Sequence, residues 1–164
     1  MSRRKRVLKR PPILPDKKYQ SELVTRLINR IMWDGKKTVA TKIVYGALEK
    51  GAAQLEITPL ELLETAVGNV TPQIEVKSVR VGGANYQVPM QPYPARALRL
   101  GLTWITNAAR SMKGKQMDMK LKQVLVESYN NEGAAIAKKT SVHQTAAGNK
   151  AFAHLASRVA GGRK

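Results

Sequence analysis

Residues Val76–Met90 read VKSVRVGGANYQVPM, and the rest of the chain is best interpreted around this stretch. Apolar and polar positions alternate on both sides of Gly82-Gly83, a pattern typical of two β-strands joined by a glycine turn that needs positive φ. Pro89 ends the alternation because proline has no N–H for a strand ladder. Two strands alone are marginal in water. We therefore expect a hairpin that packs on helices or projects as an arm held by a partner.

The expected hairpin, which we call the ribbon, and the sequence after it carry one sign of charge. The polar residues of the ribbon are Lys77, Ser78, Arg80, Asn85 and Gln87. No Asp or Glu occurs in the 42 residues from Val76 to Met117, whereas Lys and Arg recur throughout them. This segregation of charge indicates a polyanionic partner.

The composition leads to the same expectation. The 164 residues are enough for one domain with a real core, and 29 Lys and Arg against 11 Asp and Glu give a net charge of +18. Nucleic acid is favoured over an anionic membrane, because no amphipathic helix with bulky apolar anchors is apparent. The chain has no cysteine and 2 histidines, so we expect no disulfide, no metal site and no cofactor. No apolar run approaches the ~20 residues of a membrane span, and we expect a soluble intracellular protein.

The N-terminal residues 1–18 are interpreted as a disordered basic arm that orders on phosphates, with a merely solvated tail as the alternative. Prolines at 11, 12 and 15 oppose both helix and strand. Residues 19–155 are predicted to form a single helical domain with the ribbon at about 73–90, and residues 156–164 a basic C-terminal tail.

The fold class is predicted as mainly α, a bundle of about six helices with a projecting two-stranded β-ribbon arm. Apolar residues recur at helical spacing between recognisable start and stop signals. Ser21 and Thr58-Pro59-Leu60-Glu61 start the first and third helices, and Asp34-Gly35 ends the first. Thr38 is predicted to cap the second helix and Gly51 to end it. Two further helices are expected at 95–112 and 117–129, and a last one capped by Thr140 or Ser141.

The residues bear on three classes of function. An enzyme is disfavoured, because the sequence offers no phosphate-binding loop, no nucleophile elbow and no metal-spaced cluster. An RNA-binding protein that recognises a folded RNA by shape fits the cationic loops and the low aromatic content of 5%. An architectural DNA-binding protein that places a β arm in the minor groove is the alternative.

Four ordered stretches resemble the universal small-subunit ribosomal protein seven family, of bacterial and organellar type. The similarity runs in one register from about Tyr19 to His154. The stretches are Val76–Pro89, Asp34-Gly35-Lys36-Lys37 followed by Ile43-Val44, Trp104-Ile105 leading to Ala108-Ala109-Arg110, and Val142-His143 with Asn149–His154.

The resemblance implies a structural protein of the small ribosomal subunit. It implies primary binding to the 3′ major domain of small-subunit ribosomal RNA (rRNA) and initiation of assembly of the subunit head. It also implies a position near exit-site tRNA and mRNA, neighbouring head and platform proteins, and no homo-oligomer. The expected location is a cytoplasmic ribosome, with an organellar one left open.

The resemblance also implies which residues contact RNA. The rRNA contacts carried over are Arg3, Arg4, Lys5, Arg6, Arg10, Lys36, Lys37, Lys77, Arg80, Arg96, Arg110, Lys113, Lys115, Lys138, Lys139 and Lys150. The positions expected near tRNA and mRNA are Gly82, Gly83, Ala84, Asn85, Tyr86 and His143. Val79 departs from the family, which usually has a second Arg there, so the ribbon relies on Lys77 and Arg80.

Overall fold

The computed structural model describes residues 12–156. The predicted contacts at Arg3, Arg4, Lys5, Arg6 and Arg10 lie outside the described residues, as does the tail from residue 157 onward. Within the described range, no helix combines the length and the apolar character needed to cross a bilayer.

The described residues form six α-helices, one two-stranded sheet and a short 3-10 helix, which confirms the predicted fold class. In chain order the elements are α1 Glu22–Ile31, α2 Lys37–Leu55, α3 Pro59–Val70, β1 Glu75–Val81, β2 Ala84–Met90, α4 Pro94–Ser111, α5 Met117–Tyr129, α6 Gly133–Gly148 and the 3-10 helix Lys150–Leu155.

The core lies around α5, which packs against α2, α3, α4 and α6. Leu121 and Leu125 of α5 are fully buried, as are Leu27 of α1 and Leu62 of α3. Each such side chain contributes about 1.5–3 kcal/mol through burial of apolar surface. The helical stripes read from the sequence therefore face a common interior.

Local capping explains two of the helix starts. The Ser21 hydroxyl accepts a hydrogen bond from the Leu23 N–H at 3.2 Å. The Thr58 hydroxyl accepts from the Glu61 N–H at 3.3 Å, and Pro59 occupies the first helical position. Both side chains satisfy N–H groups that the helix itself cannot pair. The two predicted caps are confirmed.

The prediction for the start of α2 was wrong. The helix begins at Lys37, after Lys36 and without a side-chain cap, so Thr38 lies inside the first turn. Asp34 and Gly35 adopt φ of 49° and 71°, and the Lys36 N–H donates to the Trp33 carbonyl. This tight turn brings the chain into helical conformation one residue before the predicted cap could act.

The predicted end of α2 at Gly51 was also wrong. The helix continues to Leu55 and ends at Glu56, whose φ is 56°. Gly51 is buried, and a Cβ at this position would lie 2.7 Å from Cδ2 of Leu62. The glycine therefore permits close packing of α3 on α2 and does not terminate the helix.

The predicted start of the last long helix was wrong. α6 begins at Gly133, so Thr140 and Ser141 are interior, and it ends at Gly148 before the 3-10 helix. The stretch from Gly133 to Ala137 is rich in alanine, the strongest helix former. Burial of Ala135 against the core extends the helix to the N-terminal side of the predicted cap.

The ribbon pairs antiparallel from Glu75 opposite Met90 at its base to Val81 opposite Ala84 at its turn. Gly82 and Gly83 take φ of 58° and 90°, as the turn requires. At the base, Val88 is fully buried. The ribbon therefore has exposed turn residues, while its base packs on the helical body.

Candidate nucleic-acid interface

Three arginines gather in a groove between α1 and α4. Arg26 and Arg30 lie on one face of α1, and Arg99 comes from α4. The groove has a volume of about 410 Å³, and its other lining residues are Ile13, Asn29, Ala95, Leu98 and Leu102. We call Arg26, Arg30 and Arg99 the arginine cluster.

The cluster is electrostatically crowded. Burial lowers the pKa of Arg30, and the like charges of Arg99 and Arg110 lower it further. The Arg30 guanidinium donates to the Thr103 hydroxyl of α4, and Arg26 pairs with Glu22 at 3.3 Å. Repulsion between Arg30 and its cationic neighbours is relieved when an anion enters, and phosphate suits the planar donor geometry of a guanidinium.

Sequence reasoning did not assign the arginine cluster to the interface. The only sequence feature that pointed to the cluster was the four-residue spacing of Arg26 and Arg30, which places them on one helical face. The neighbouring Arg99 lies 69 residues beyond Arg30 in the sequence, and only the packing of α1 on α4 brings the two together.

Asp16 anchors the chain where it enters the body. Its carboxylate accepts hydrogen bonds from the Tyr45 hydroxyl at 2.8 Å and from the backbone N–H groups of Lys18 and Tyr19 at 3.0 and 3.2 Å. Burial raises the pKa of Asp16, but the hydrogen bonds outweigh it and leave the pKa below its ordinary value. Residues 16–18, which the sequence assigned to the basic arm, are thus attached to α2.

The preceding residues approach the arginine cluster, because Ile13 lines its groove. Lys18 contributes to the same attachment through an ion pair with Glu49 and a position over the ring of Tyr45. The attachment at Asp16 therefore places Ile13 beside a cationic groove.

Several predicted RNA contacts are engaged within the protein. The Arg96 Nε lies 2.9 and 2.7 Å from the two carboxylate oxygens of Glu75, which ties α4 to the ribbon base. The Lys139 ammonium donates to the Asn69 carbonyl at 2.6 Å, and Lys115 donates to the Gln123 side chain at 3.0 Å. These three side chains have partners within the protein in the absence of RNA.

Arg110 lies where α4 meets the end of α1. Its guanidinium donates to the carbonyls of Arg30 and Ile31 at 3.5 and 3.4 Å, and it lies over the ring of Trp33, 5.2 Å from the ring centre. The other predicted contacts outside the ribbon are exposed, namely Lys36, Lys37, Lys113, Lys138 and Lys150.

The structure separates the positions expected near tRNA and mRNA. Gly82, Gly83, Ala84 and Asn85 are exposed at the turn. Tyr86 is half-buried, and its ring centre lies 5.1 Å from that of Phe152. His143 accepts a hydrogen bond from the Gln73 N–H at 3.3 Å, before β1 begins, and therefore lies at the opposite end of the ribbon from the turn.

Lys77 and Arg80 are both exposed on β1 but point to opposite faces of the ribbon, because side chains alternate along a strand. Replacing both with alanine should reduce the slope of log affinity against log salt by about one unit if RNA contacts one face, and by about two if it encloses the ribbon. Filter binding over a salt series measures the slope. An unchanged slope would show that neither side chain contacts phosphate.

Among the described residues, no group of His, Asp and Glu is arranged to hold a metal ion. The groove along α1 and α4 and the ribbon with its turn are instead suited to binding an extended anion. The expected chemistry is charge neutralisation and hydrogen bonding, with no bond made or broken.

Comparisons with known proteins show the family of this chain. The family model described as ribosomal protein S7p/S5e matches residues 2–150. The chain is 48% identical over 151 residues to small ribosomal subunit protein uS7 of Pseudoalteromonas translucida, which covers 92% of this chain and 97% of the relative. It is 49% identical over 155 residues to the uS7 protein of Thermosipho melanesiensis, covering 94% and 99%. The uS7 protein of Thermotoga maritima is 49% identical over 152 residues, covering 93% and 97%.

Proposed function

The chain belongs to the ribosomal protein S7p/S5e family, and we propose that it is a structural component of the small ribosomal subunit that binds the subunit's RNA. Members of this family are structural proteins and not enzymes, in line with the absence of a catalytic motif from the sequence. The proposed binding site is the cationic surface of α1 and α4, together with the ribbon.

The arginine cluster is the observation that carries the proposal. Arg26, Arg30 and Arg99 line one groove. Burial, and then the like charges of Arg99 and Arg110, lower the pKa of Arg30, so like charges repel one another here in the free protein. A phosphate backbone removes that repulsion and releases its own condensed counterions when it binds. The exposed Lys36, Lys37 and Lys113 extend the cationic surface beyond the helices.

The family resemblance also suggests which RNA the chain binds and at which stage of subunit assembly. We propose that the chain binds the 3′ major domain of small-subunit rRNA as a primary protein and initiates assembly of the head. A rigid helical body with a preformed cationic groove supports early binding, because little conformational entropy is lost when it docks. Its remaining partners would be neighbouring proteins of the head and platform, within the ribosome of the cell or organelle.

The ribbon turn is proposed to lie near exit-site tRNA and mRNA. Gly82 and Gly83 lack side chains, and Ala84 and Asn85 are small and uncharged, so the turn can approach an RNA backbone closely. His143 is not grouped with the turn in this proposal, since its ring accepts a hydrogen bond at the ribbon base.

Direct binding tests the proposal. The full chain should bind a transcript of the 3′ major domain of small-subunit rRNA with a steep salt dependence, and excess duplex DNA should not displace it at physiological salt. Chemical footprinting should then show protection confined to that domain. Full displacement by duplex DNA would instead favour an architectural DNA-binding protein, and equal binding to a transcript of another rRNA domain would contradict the assignment.

A further inference from the structure

A tryptophan is exposed beside the cationic residues at the end of α1. The residue is Trp33, which follows α1 and retains 67% of its accessible surface. It starts the turn through Asp34 and Gly35, and its carbonyl accepts the Lys36 N–H at 3.0 Å. Burial of apolar surface favours folding, so a large exposed indole contributes little to stability and is available to a partner.

The ring is held in position from one side. The Arg110 guanidinium lies over it at 5.2 Å from the ring centre and is itself held by hydrogen bonds to the carbonyls of Arg30 and Ile31 at the end of α1. Cation–π attraction and these hydrogen bonds restrict both groups before any partner arrives. The arrangement is an exposed aromatic ring beside a positive charge.

The surrounding charges identify the chemistry of the partner. Between residues 30 and 40 the sequence has Arg30, Lys36 and Lys37 against one acid, Asp34. Arg110 adds a further cation at the ring. A planar apolar ring among cations matches a nucleotide, whose base stacks on the indole while its phosphate meets the neighbouring charges.

We propose that Trp33 is a base-stacking site for an unpaired nucleotide of the bound RNA, with Arg110 holding the ring in place. This inference rests on the proposed function and extends it, because it adds recognition of a single-stranded feature to a surface that otherwise reads phosphates. The remaining cations neutralise the backbone on either side of that nucleotide.

Substitution of the ring tests the proposal in the full chain with the 3′ major domain transcript. Trp33→Leu keeps an apolar side chain but removes the aromatic face, and it should weaken binding by about 5- to 150-fold. Trp33→Phe should retain most of the affinity. The salt slope should stay unchanged in both variants, because neither removes a charge.

A fluorescence measurement separates stacking from an indirect structural effect. The chain has 2 tryptophans, so Trp104→Phe leaves Trp33 as the sole indole. Saturating RNA should quench its emission and protect it from acrylamide. The thermal midpoint of Trp33→Leu should match that of the unsubstituted protein.

Two results would overturn the stacking site while leaving RNA binding intact. One is equal affinity of Trp33→Leu and the unsubstituted protein for the transcript, which would show that the ring does not contribute to RNA binding. The other is unchanged Trp33 emission in a complex known to have formed. Failure of the unsubstituted protein to bind the transcript would instead refute the proposed function itself.

Discussion

Replacing Arg26, Arg30 and Arg99 together with glutamine should weaken binding to the 3′ major domain transcript on the order of 50-fold at about 0.2 M salt. Each lost phosphate contact removes about 0.7–0.9 units from the salt slope, so the slope should fall by about 2–3 units. The fold should survive, because glutamine keeps a polar side chain at each position and removes the like charges of Arg30 and Arg99, which repel each other. Filter binding across a salt series gives both quantities.

A matched variant distinguishes a specific site from a general loss of charge. In this control variant, Lys42 of α2 and both Lys120 and Lys122 of α5 are changed to glutamine. It loses the same number of cations as the arginine variant, but from other parts of the body. This control should change affinity much less than the arginine variant, because its lysines lie outside the groove. Equal losses in the two variants would mean that RNA responds to net charge and that the groove is not its site.

The largest effect on stability is expected at the junction of α2 and α3. Leu62 is fully buried, and its Cδ2 atom faces the position where Gly51 lacks a Cβ. Leu62→Ala should lower the free energy of unfolding by about 2–5 kcal/mol, through lost transfer energy and the cavity left behind. Denaturant unfolding followed by circular dichroism measures it. Leu14→Ala is the control, since Leu14 is 74% exposed and should change stability by less than about 0.5 kcal/mol.

Coupling between Gly51 and Leu62 tests the packing more sharply. Alanine favours a helix interior over glycine by about 0.5–1 kcal/mol, but in the intact protein its Cβ would lie 2.7 Å from Leu62 Cδ2. Gly51→Ala should therefore be destabilising alone and stabilising in the Leu62→Ala background, where space is free. A double-mutant cycle measures the difference, and additive effects within about 0.3 kcal/mol would contradict the contact.

Predictions from the sequence succeeded where the determining interaction is local. The caps at Ser21 and Thr58 act over two or three residues, and the ribbon follows from alternation around two glycines. They failed where a residue type that usually ends or begins a helix has another structural role in this protein. Gly51 allows two helices to approach, and Thr140 lies inside a helix that begins upstream at Gly133.

The predicted RNA contacts stay predictions, and the structure shows the surroundings of each side chain. Loop and ribbon cations such as Lys36, Lys77 and Arg80 were identifiable from the sequence and are exposed. Arg96 was assigned to RNA from resemblance, yet its guanidinium is paired with Glu75. No sequence pattern predicts that pairing, because the partner is set by where the ribbon base meets the start of α4.

By itself the sequence determined the helical class, the ribbon and the sign of charge of the partner. These depend on periodicity, turn residues and composition, all of which are local or summed properties. Only the tertiary structure decided that Arg99 joins Arg26 and Arg30, and that Arg110 lies over Trp33. The physical reason is that helix packing sets distances between residues remote in sequence, and both the repulsion of guanidiniums and the contact between a cation and a ring depend on those distances.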